Sequence, residues 1–412
     1  MPTIVLLGTL DTKGEEYDYL RRRVRDGGCD VVMIDAGILG EPTTAADVTR
    51  AEVARAAGAD VAALAAMGDR GSAIATMARG ATEIVRRLHA EGRLDGILGM
   101  GGSNGSALVG QAMRALPVGV PKLIVSTVAA GDTRPYIGES DIALLYSVVD
   151  IAGLNRLSER ILTNAAAAIV GMAGAYAGFQ PAAGSKPLIA ATMFGVTTGC
   201  VTAARQWLEE RGYEVLVFHA TGTGGRSMEA LAAGGFLAGV LDVTTTELAD
   251  ELVGGILSAG PDRLEIAGAR GLPQVVSLDA LDMVNFGPMA TVPERFRGRS
   301  LYAHNAAVTL MRTTPEECAE LGQIIARKLN AATGPVALFV PLRGVSAIAT
   351  AGKVFHDPIA DRALIDNLTA GLGPNVELHE LDMEINDPRF ARAMAERMDE
   401  LVRAAVDAQR TG

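Results

Sequence analysis

Met100-Gly101-Gly102-Ser103-Asn104-Gly105-Ser106 is the stretch around which the chain is organised. Before it runs Leu94-Asp95-Gly96-Ile97-Leu98-Gly99, which reads as a buried strand. After it, Ala107-Leu108-Val109-Gly110-Gln111-Ala112-Met113 reads as the start of a helix. A strand, a glycine loop and a helix turn several backbone N–H groups toward one point. Those donors, with the positive end of the helix, suit an anion and above all a phosphate. The glycines let the backbone approach closely and adopt positive φ. The alternative is a tight strand-to-helix turn whose small residues serve packing.

Upstream, Thr3-Ile4-Val5-Leu6-Leu7 is a continuous apolar run, the pattern of a strand covered on both faces. It ends in Gly8-Thr9-Leu10-Asp11-Thr12-Lys13-Gly14, and a helix with Tyr17, Leu20 and Val24 at helical spacing follows. Val31-Val32-Met33-Ile34 is the next strand, ending at Asp35. This βαβ unit predicts a right-handed crossover with ligands at the carboxyl ends of the strands. Gly8, Thr9, Asp11, Lys13 and Asp35 lie there. A further strand at Lys122–Val125 ends at Ser126, and Ile142–Tyr146 reads as another.

At Pro187 the pattern restarts. Leu188–Thr192 is a strand, Met193–Gly199 its loop, and Val215–Phe218 a strand ending at His219. Met67-Gly68-Asp69-Arg70-Gly71-Ser72 resembles Gly222–Glu229, and Leu94–Ser103 resembles Leu237–Thr246. The expectation is an α/β chain of two similar Rossmann-like lobes, each a mostly parallel sheet with helices on both faces. The lobes are placed at 1–184 and 185–412 with a cleft between them, and Pro181–Lys186 is the linker. In the second lobe the glycine loop has become Thr-rich, at Val243–Thr246, which predicts one nucleotide site per chain, in the first lobe.

Composition narrows the function. A net charge of −11 over 412 residues offers no general basic field for nucleic acid. Cys29, Cys200 and Cys318 form no CxxC pair and read as reduced structural thiols, in keeping with a cytoplasmic chain. The Ala- and Gly-rich helix near Asn164–Gly178 reads as too short to span a bilayer, so no membrane partner is expected. Its small residues suit close packing in a homodimer.

No Walker A motif occurs, and the strict GxGxxG fingerprint fails at Asn104. A constellation remains. Gly101, Gly102, Ser103, Asn104 and Gly105 could cradle phosphates, with Ser126 at the neighbouring strand end. Lys13 could neutralise them, Asp11 could hold Mg²⁺ through water, and Asp35 could accept from a ribose hydroxyl. For Asp11 and Lys13 the competing reading is a helix cap with a solvated lysine. In the second lobe, Pro293–Arg299 is strongly basic and leads to Tyr302, His304, Asn305 and Arg312. Arginines there suit an anionic ligand. His219 and Glu229 flank a glycine-rich turn and could act as base and acid. HExxH spacing and clustered His and Cys are absent, so no tightly held zinc is expected.

The combined motifs resemble the Tm-one-like ATP-binding domain family, named for a tomato mosaic virus resistance protein. They are Gly8–Lys13, Gly99–Ser103, Ser126–Ala129 with Tyr136–Gly138, Ser147–Ile151, His219–Gly222 with Gly224-Gly225, and His304-Asn305 with Thr309–Arg312. The resemblance implies two Rossmann-like lobes with ATP and Mg²⁺ at the first, and it implies no particular reaction. Three departures from the family pattern stand out. Asn104 and Ser106 stand in a loop that is usually GGSGGT, Ala349 where an aspartate is expected, and Met383-Glu384 where a histidine is expected. Three functions follow: an ATP–Mg²⁺-binding protein with a second anionic ligand at the cleft, an ATP-dependent phosphotransferase or ligase or a hydrolase of a small anionic metabolite, and a non-catalytic module whose ATP governs a protein partner. In the enzyme reading His219, Glu229, His304 and Arg312 carry the chemistry.

Overall fold

The computed structural model describes residues 1–180 and 184–411. Pro181, Ala182 and Ala183 of the expected linker lie outside the described residues. The chain divides into two compact units, Met1–Ala182 and Ala183–Gly412.

The first unit runs β1 (Thr3–Gly8), α1 (Leu10–Asp26), β2 (Asp30–Asp35), α2 (Arg50–Ala56), α3 (Val61–Ala66), α4 (Arg70–Ala90), β3 (Gly96–Gly101), α5 (Ser103–Arg114), β4 (Lys122–Ser126), α6 (Arg134–Ile137), β5 (Ala143–Tyr146) and α7 (Arg156–Gly178). Its five strands are parallel in the order β2-β1-β3-β4-β5. The period-2 geometry of β1 explains its unbroken apolar run. Ile4 and Leu6 enter one core with Leu20 and Ile169, while Val5 and Leu7 enter the other with Met77 and Val109. Helices therefore cover both faces, and the strand order reverses between β1 and β3.

Two expectations change. Met100 and Gly101 belong to β3, and α5 opens at Ser103 rather than near Ala107. The turn is thus a single residue, Gly102, in extended conformation at the N-cap. The apolar helix α7 has 23 residues, starts early because Asn155 caps it, and is long and apolar enough to cross a membrane. One stripe, Leu162, Ala165, Ala166, Ile169 and Ala173, packs on the sheet, while Ala167, Ala168, Gly171, Gly174 and Ala175 are exposed.

The second unit runs β6 (Leu188–Met193), α8 (Thr198–Glu209), β7 (Glu214–His219), α9 (Thr223–Ala233), β8 (Gly239–Thr244), α10 (Glu247–Val253), α11 (Ile266–Ala269), β9 (Gln274–Asp279), β10 (Met283–Phe286), β11 (Leu301–Asn305), β12 (Val308–Arg312), α12 (Pro315–Asn330), β13 (Val336–Pro341), α13 (Pro358–Gly371), β14 (Val376–Leu381) and α14 (Pro388–Thr411), with two short 3₁₀ turns between β10 and β11. Six strands form a parallel sheet, β14-β13-β9-β8-β6-β7. The order β7-β6-β8-β9 repeats β2-β1-β3-β4, and the tail from Pro335 completes this sheet as expected. An antiparallel sheet, β10-β12-β11, is inserted between β9 and β13. It absorbs the stretch that reads from sequence as a basic loop.

Candidate functional site

In a sheet of this order ligands collect where the strand order reverses, outside the carboxyl ends of the strands. The loops after β1 and β3 meet there around an open pocket of about 200 Å³. Thr9, Asp11, Lys13, Gly101, Gly102, Ser103, Asn104 and Gly105 of the expected site line it. Arg70, Ile38, Ile74 and Leu108 join them.

The glycines are required by geometry. Gly101 has φ of 158°, and a Cβ there would sit 2.9 Å from the Gly105 Cα. A Cβ on Gly105 would lie 3.1 Å from the Met100 carbonyl oxygen. The backbone therefore packs loop against helix with no side chain between. Gly102 supplies no side-chain cap to α5. The first intrahelical bond is Ser106 N–H to the Gly102 carbonyl, so the amides of Ser103, Asn104 and Gly105 have no acceptor among the described residues. Other helices of this unit are closed by a side chain at the N-cap: Asp69 accepts from Gly71 and Ser72 at α4, and Asn155 from Leu157 and Ser158 at α7.

Charge around the pocket favours an anion. Arg70 opens α4 and has no carboxylate partner among the described residues. Lys13 stands at a break in α1 (φ −132°, ψ 20°), and its ammonium donates to the Ile151 carbonyl. Asp11 is the one acid in the lining. Its Oδ2 accepts from Leu39 N–H at 2.7 Å, and its Oδ1 is buried with no partner among the described residues. Ile38, Ile74 and Leu108 give the pocket an apolar wall.

Three expected residues stand outside the lining. Asp35 is 1% exposed, and its Oδ1 accepts from Leu10 N–H at 3.0 Å and Gly37 N–H at 2.8 Å. It ties the loops after β1 and β2 together rather than facing a ribose, and burial raises its carboxyl. Ser126 is buried, with its hydroxyl 2.7 Å from that of Ser106. Gly8 makes room for Tyr17: a Cβ would fall 2.0 Å from the phenol oxygen. That hydroxyl donates to the Leu7 carbonyl at 2.5 Å and accepts from Met100 N–H at 2.8 Å. Tyr17 thus clamps β1 to β3 beneath the pocket, and burial pushes its pKa above the ordinary phenol value.

The second unit closes the corresponding place with its own side chains. Counted from the start of each strand, Gly101-Gly102-Ser103-Asn104 of the first unit correspond to Thr244-Thr245-Thr246-Glu247. Glu247 is fully buried, and its Oε1 accepts from Gly222 N–H at 2.7 Å and Gly225 N–H at 3.0 Å, at the start of α9. A Cβ on Gly225 would strike that carboxylate at 2.1 Å. Arg263, also buried, donates to Glu247 at 2.7 Å and to both oxygens of Asp242. At α8 the Cys200 N–H is taken by Asn386 Oδ1 at 3.1 Å. An internal carboxylate occupies an anion position here.

The expected catalytic residues of this unit do not meet in one pocket. Glu229 accepts Leu264 N–H at 2.7 Å and Ile266 N–H at 3.1 Å, so its carboxylate shapes that turn. Arg312, 5% exposed, bonds Asp361, Thr313 and the Phe355 and Asp357 carbonyls, which leaves no face for a ligand. His219 is exposed at the end of β7, edge-on to Phe194 at 5.5 Å, and His304 is exposed on β11. Ala349 lies in the core, where the family pattern would have an aspartate. No group of three or more His, Cys, Asp or Glu able to hold a metal exists among the described residues.

Two family models match in tandem. Residues 2–178 match the N-terminal domain, and residues 186–402 the C-terminal domain, of the Uncharacterised protein family UPF0261. The chain belongs to the UPF0261 family. A UPF0261 protein of Clostridium tetani is 52% identical over 396 residues, 96% of this chain and 98% of its own length. A UPF0261 protein of Rhizobium meliloti is 48% identical, over 95% and 97% of the two chains. The tomato ToMV resistance protein Tm-1(GCR237) is 40% identical over 96% of this chain and 55% of its own, in line with the resemblance drawn from the motifs. Among solved structures, a UDP-N-acetylglucosamine 2-epimerase of Rickettsia bellii aligns over 99% of this chain at 10% identity and a TM-score of 0.24, too remote for a functional reading. In this UPF0261 chain, Arg70 is the pocket residue that sequence reasoning passed over. Its signal was the repeat that pairs Met67–Ser72 with Gly222–Glu229.

Proposed function

We propose that the first unit binds the phosphates of a nucleotide, ATP with Mg²⁺, and that the second unit holds no equivalent nucleotide. The contrast between the two units carries this reading. Among the described residues, α5 starts with three N–H groups that no acceptor takes, in a glycine-walled pocket beside Lys13 and Arg70, whereas the second unit has the buried Glu247 at the position of Asn104, its carboxylate on the amides that open α9, the counterpart of α4. A phosphate would take helix N-terminal amides in the open pocket of the first unit, as the Glu247 carboxylate takes those of α9 in the second. The apolar wall of Ile38, Ile74 and Leu108 suits a base. With one acid in the lining, Mg²⁺ would be held chiefly by phosphate oxygens, with Asp11 through water. The metal would neutralise phosphate charge.

A non-catalytic, nucleotide-regulated module is favoured over an enzyme, because Glu229 and Arg312 are committed to the fold. Exposed Arg295, Arg297 and His304 support a small anionic metabolite as a second ligand of the second unit. The exposed small-residue face of α7 supports a homodimer, the three buried free cysteines are in keeping with a cytoplasmic chain, and the net charge of −11 argues against nucleic-acid partners. Thermal unfolding with ATP and Mg²⁺ tests the central reading. At a hundred times Kd, bound nucleotide stabilises by about 2.7 kcal/mol. An unmoved transition at millimolar ATP would sink it.

A further inference from the structure

Ser147–Ile151 makes a strained turn at the carboxyl end of β5. Val148 has φ of 65°, a region that β-branched residues avoid because Cβ crowds the backbone. Val149 N–H donates back to the Ser147 carbonyl at 2.7 Å, closing a three-residue turn of the rare positive-φ kind. The Ser147 hydroxyl donates to the Val149 carbonyl at 2.6 Å. The side-chain exposure is inverted: Ser147 is buried, while Tyr146, Val148 and Val149 are 43%, 58% and 38% exposed.

Such a conformer persists only where its surroundings over-determine it. Two tethers reach it from α1. The Lys13 ammonium donates to the Ile151 carbonyl, and Glu16 accepts from Gly153 N–H at 2.8 Å. Lys13 is also part of the pocket wall. The break in α1 at this residue frees its backbone from helical geometry. One ammonium therefore serves two places, a neutral carbonyl under the strained turn and a pocket built for anions.

We propose that Ser147–Ile151 is a ligand-operated switch, thrown through Lys13 when an anion fills the pocket. This rests on the phosphate reading above. A polyphosphate attracts the ammonium more strongly than a neutral carbonyl does. Occupancy draws Lys13 off Ile151, the turn loses a tether, and Val148 relaxes out of positive φ. Tyr146, Val148 and Val149 are then re-presented at the sheet edge, so the state of the pocket is reported at the surface.

Hydrogen exchange of the full chain, read by mass spectrometry with and without ATP–Mg²⁺, tests this beside a calorimetric titration of the same samples. Peptides spanning 146–153 should exchange roughly fivefold faster with ATP, because local opening sets that rate. Val148→Gly removes the strain, and its ATP-induced acceleration should shrink to below about twofold. Lys13→Met should exchange fast without ligand. ATP heat with unchanged or slower exchange at 146–153 overturns the switch and leaves the phosphate reading standing. An absence of heat overturns both.

Discussion

Replacing Gly102 by aspartate should leave the first unit folded while closing its phosphate cradle. Gly102 sits at the N-cap of α5 with φ −80° and ψ −157°, which an L residue adopts without strain. A Cβ there would meet only Thr127 Oγ1, at an ordinary 3.5 Å. Aspartate is a strong N-cap and gains a few tenths of a kcal/mol over glycine. Its carboxylate would claim amides that have no acceptor among the described residues, as Glu247 claims those of α9. It would also stand about 4 Å from a bound phosphate. At an effective dielectric near 20 that repulsion is about 4 kcal/mol per unit charge. Gly102 is half-buried, and solvent screening reduces the figure to roughly 2–3 kcal/mol, a roughly 30- to 150-fold loss of affinity. Calorimetric titration with ATP–Mg²⁺ reads the affinity, and denaturant unfolding without nucleotide reads the stability. Unchanged affinity in G102D would refute the cradle. A ligand-free loss of more than about 1 kcal/mol would show that Gly102 serves packing instead.

Three further outcomes follow from the buried polar groups. Burial raises the Asp282 carboxyl to about 6 and Asp250 to about 7. The fold thus prefers these acids protonated. Their contribution is complete below the ordinary carboxylate range and is lost as pH climbs through 6 to 7. Relative to Asp282→Asn, the wild type should lose roughly 2 kcal/mol between pH 4.5 and 8 in urea unfolding, and a pH-independent difference would count against it. Arg263→Leu strands the buried carboxylates of Asp242 and Glu247 and should cost about 3–5 kcal/mol or prevent folding. A loss under about 1 kcal/mol would show that these acids find other partners. Tyr17→Phe leaves the Met100 N–H unsatisfied and should lower the stability of the first unit by about 1–3 kcal/mol. An unchanged midpoint would remove Tyr17 as the clamp between β1 and β3.

The paired sheets were readable because buried parallel strands have continuous apolar runs, as at Ile4–Leu7 and Val336–Val340, and because the second run of βαβ spacings echoes the first. Most of the pocket was readable too, since Gly101 and Gly105 are glycines for steric reasons that act within a few residues. Long-range pairing was not. Nothing near Glu229 or Arg312 in the chain reveals that their partners are the 264–266 backbone and Asp361. A charged residue looks the same in sequence whether it faces solvent or a buried counter-charge. The antiparallel sheet β10-β12-β11 was hidden because its strands are short and β11, with His304 exposed, carries little apolar periodicity. Asp35 misled for a related reason: a strand-end acid signals a polar task without saying whether ligand or backbone receives it.

The most direct measurement is the stoichiometry of ATP–Mg²⁺ binding to the full chain by isothermal titration calorimetry. One nucleotide per chain, lost in G102D and retained when His304 is replaced by alanine, is the predicted result. No binding, or two equivalent sites per chain, would contradict the account that the first unit keeps its anion position open while Glu247 fills the second.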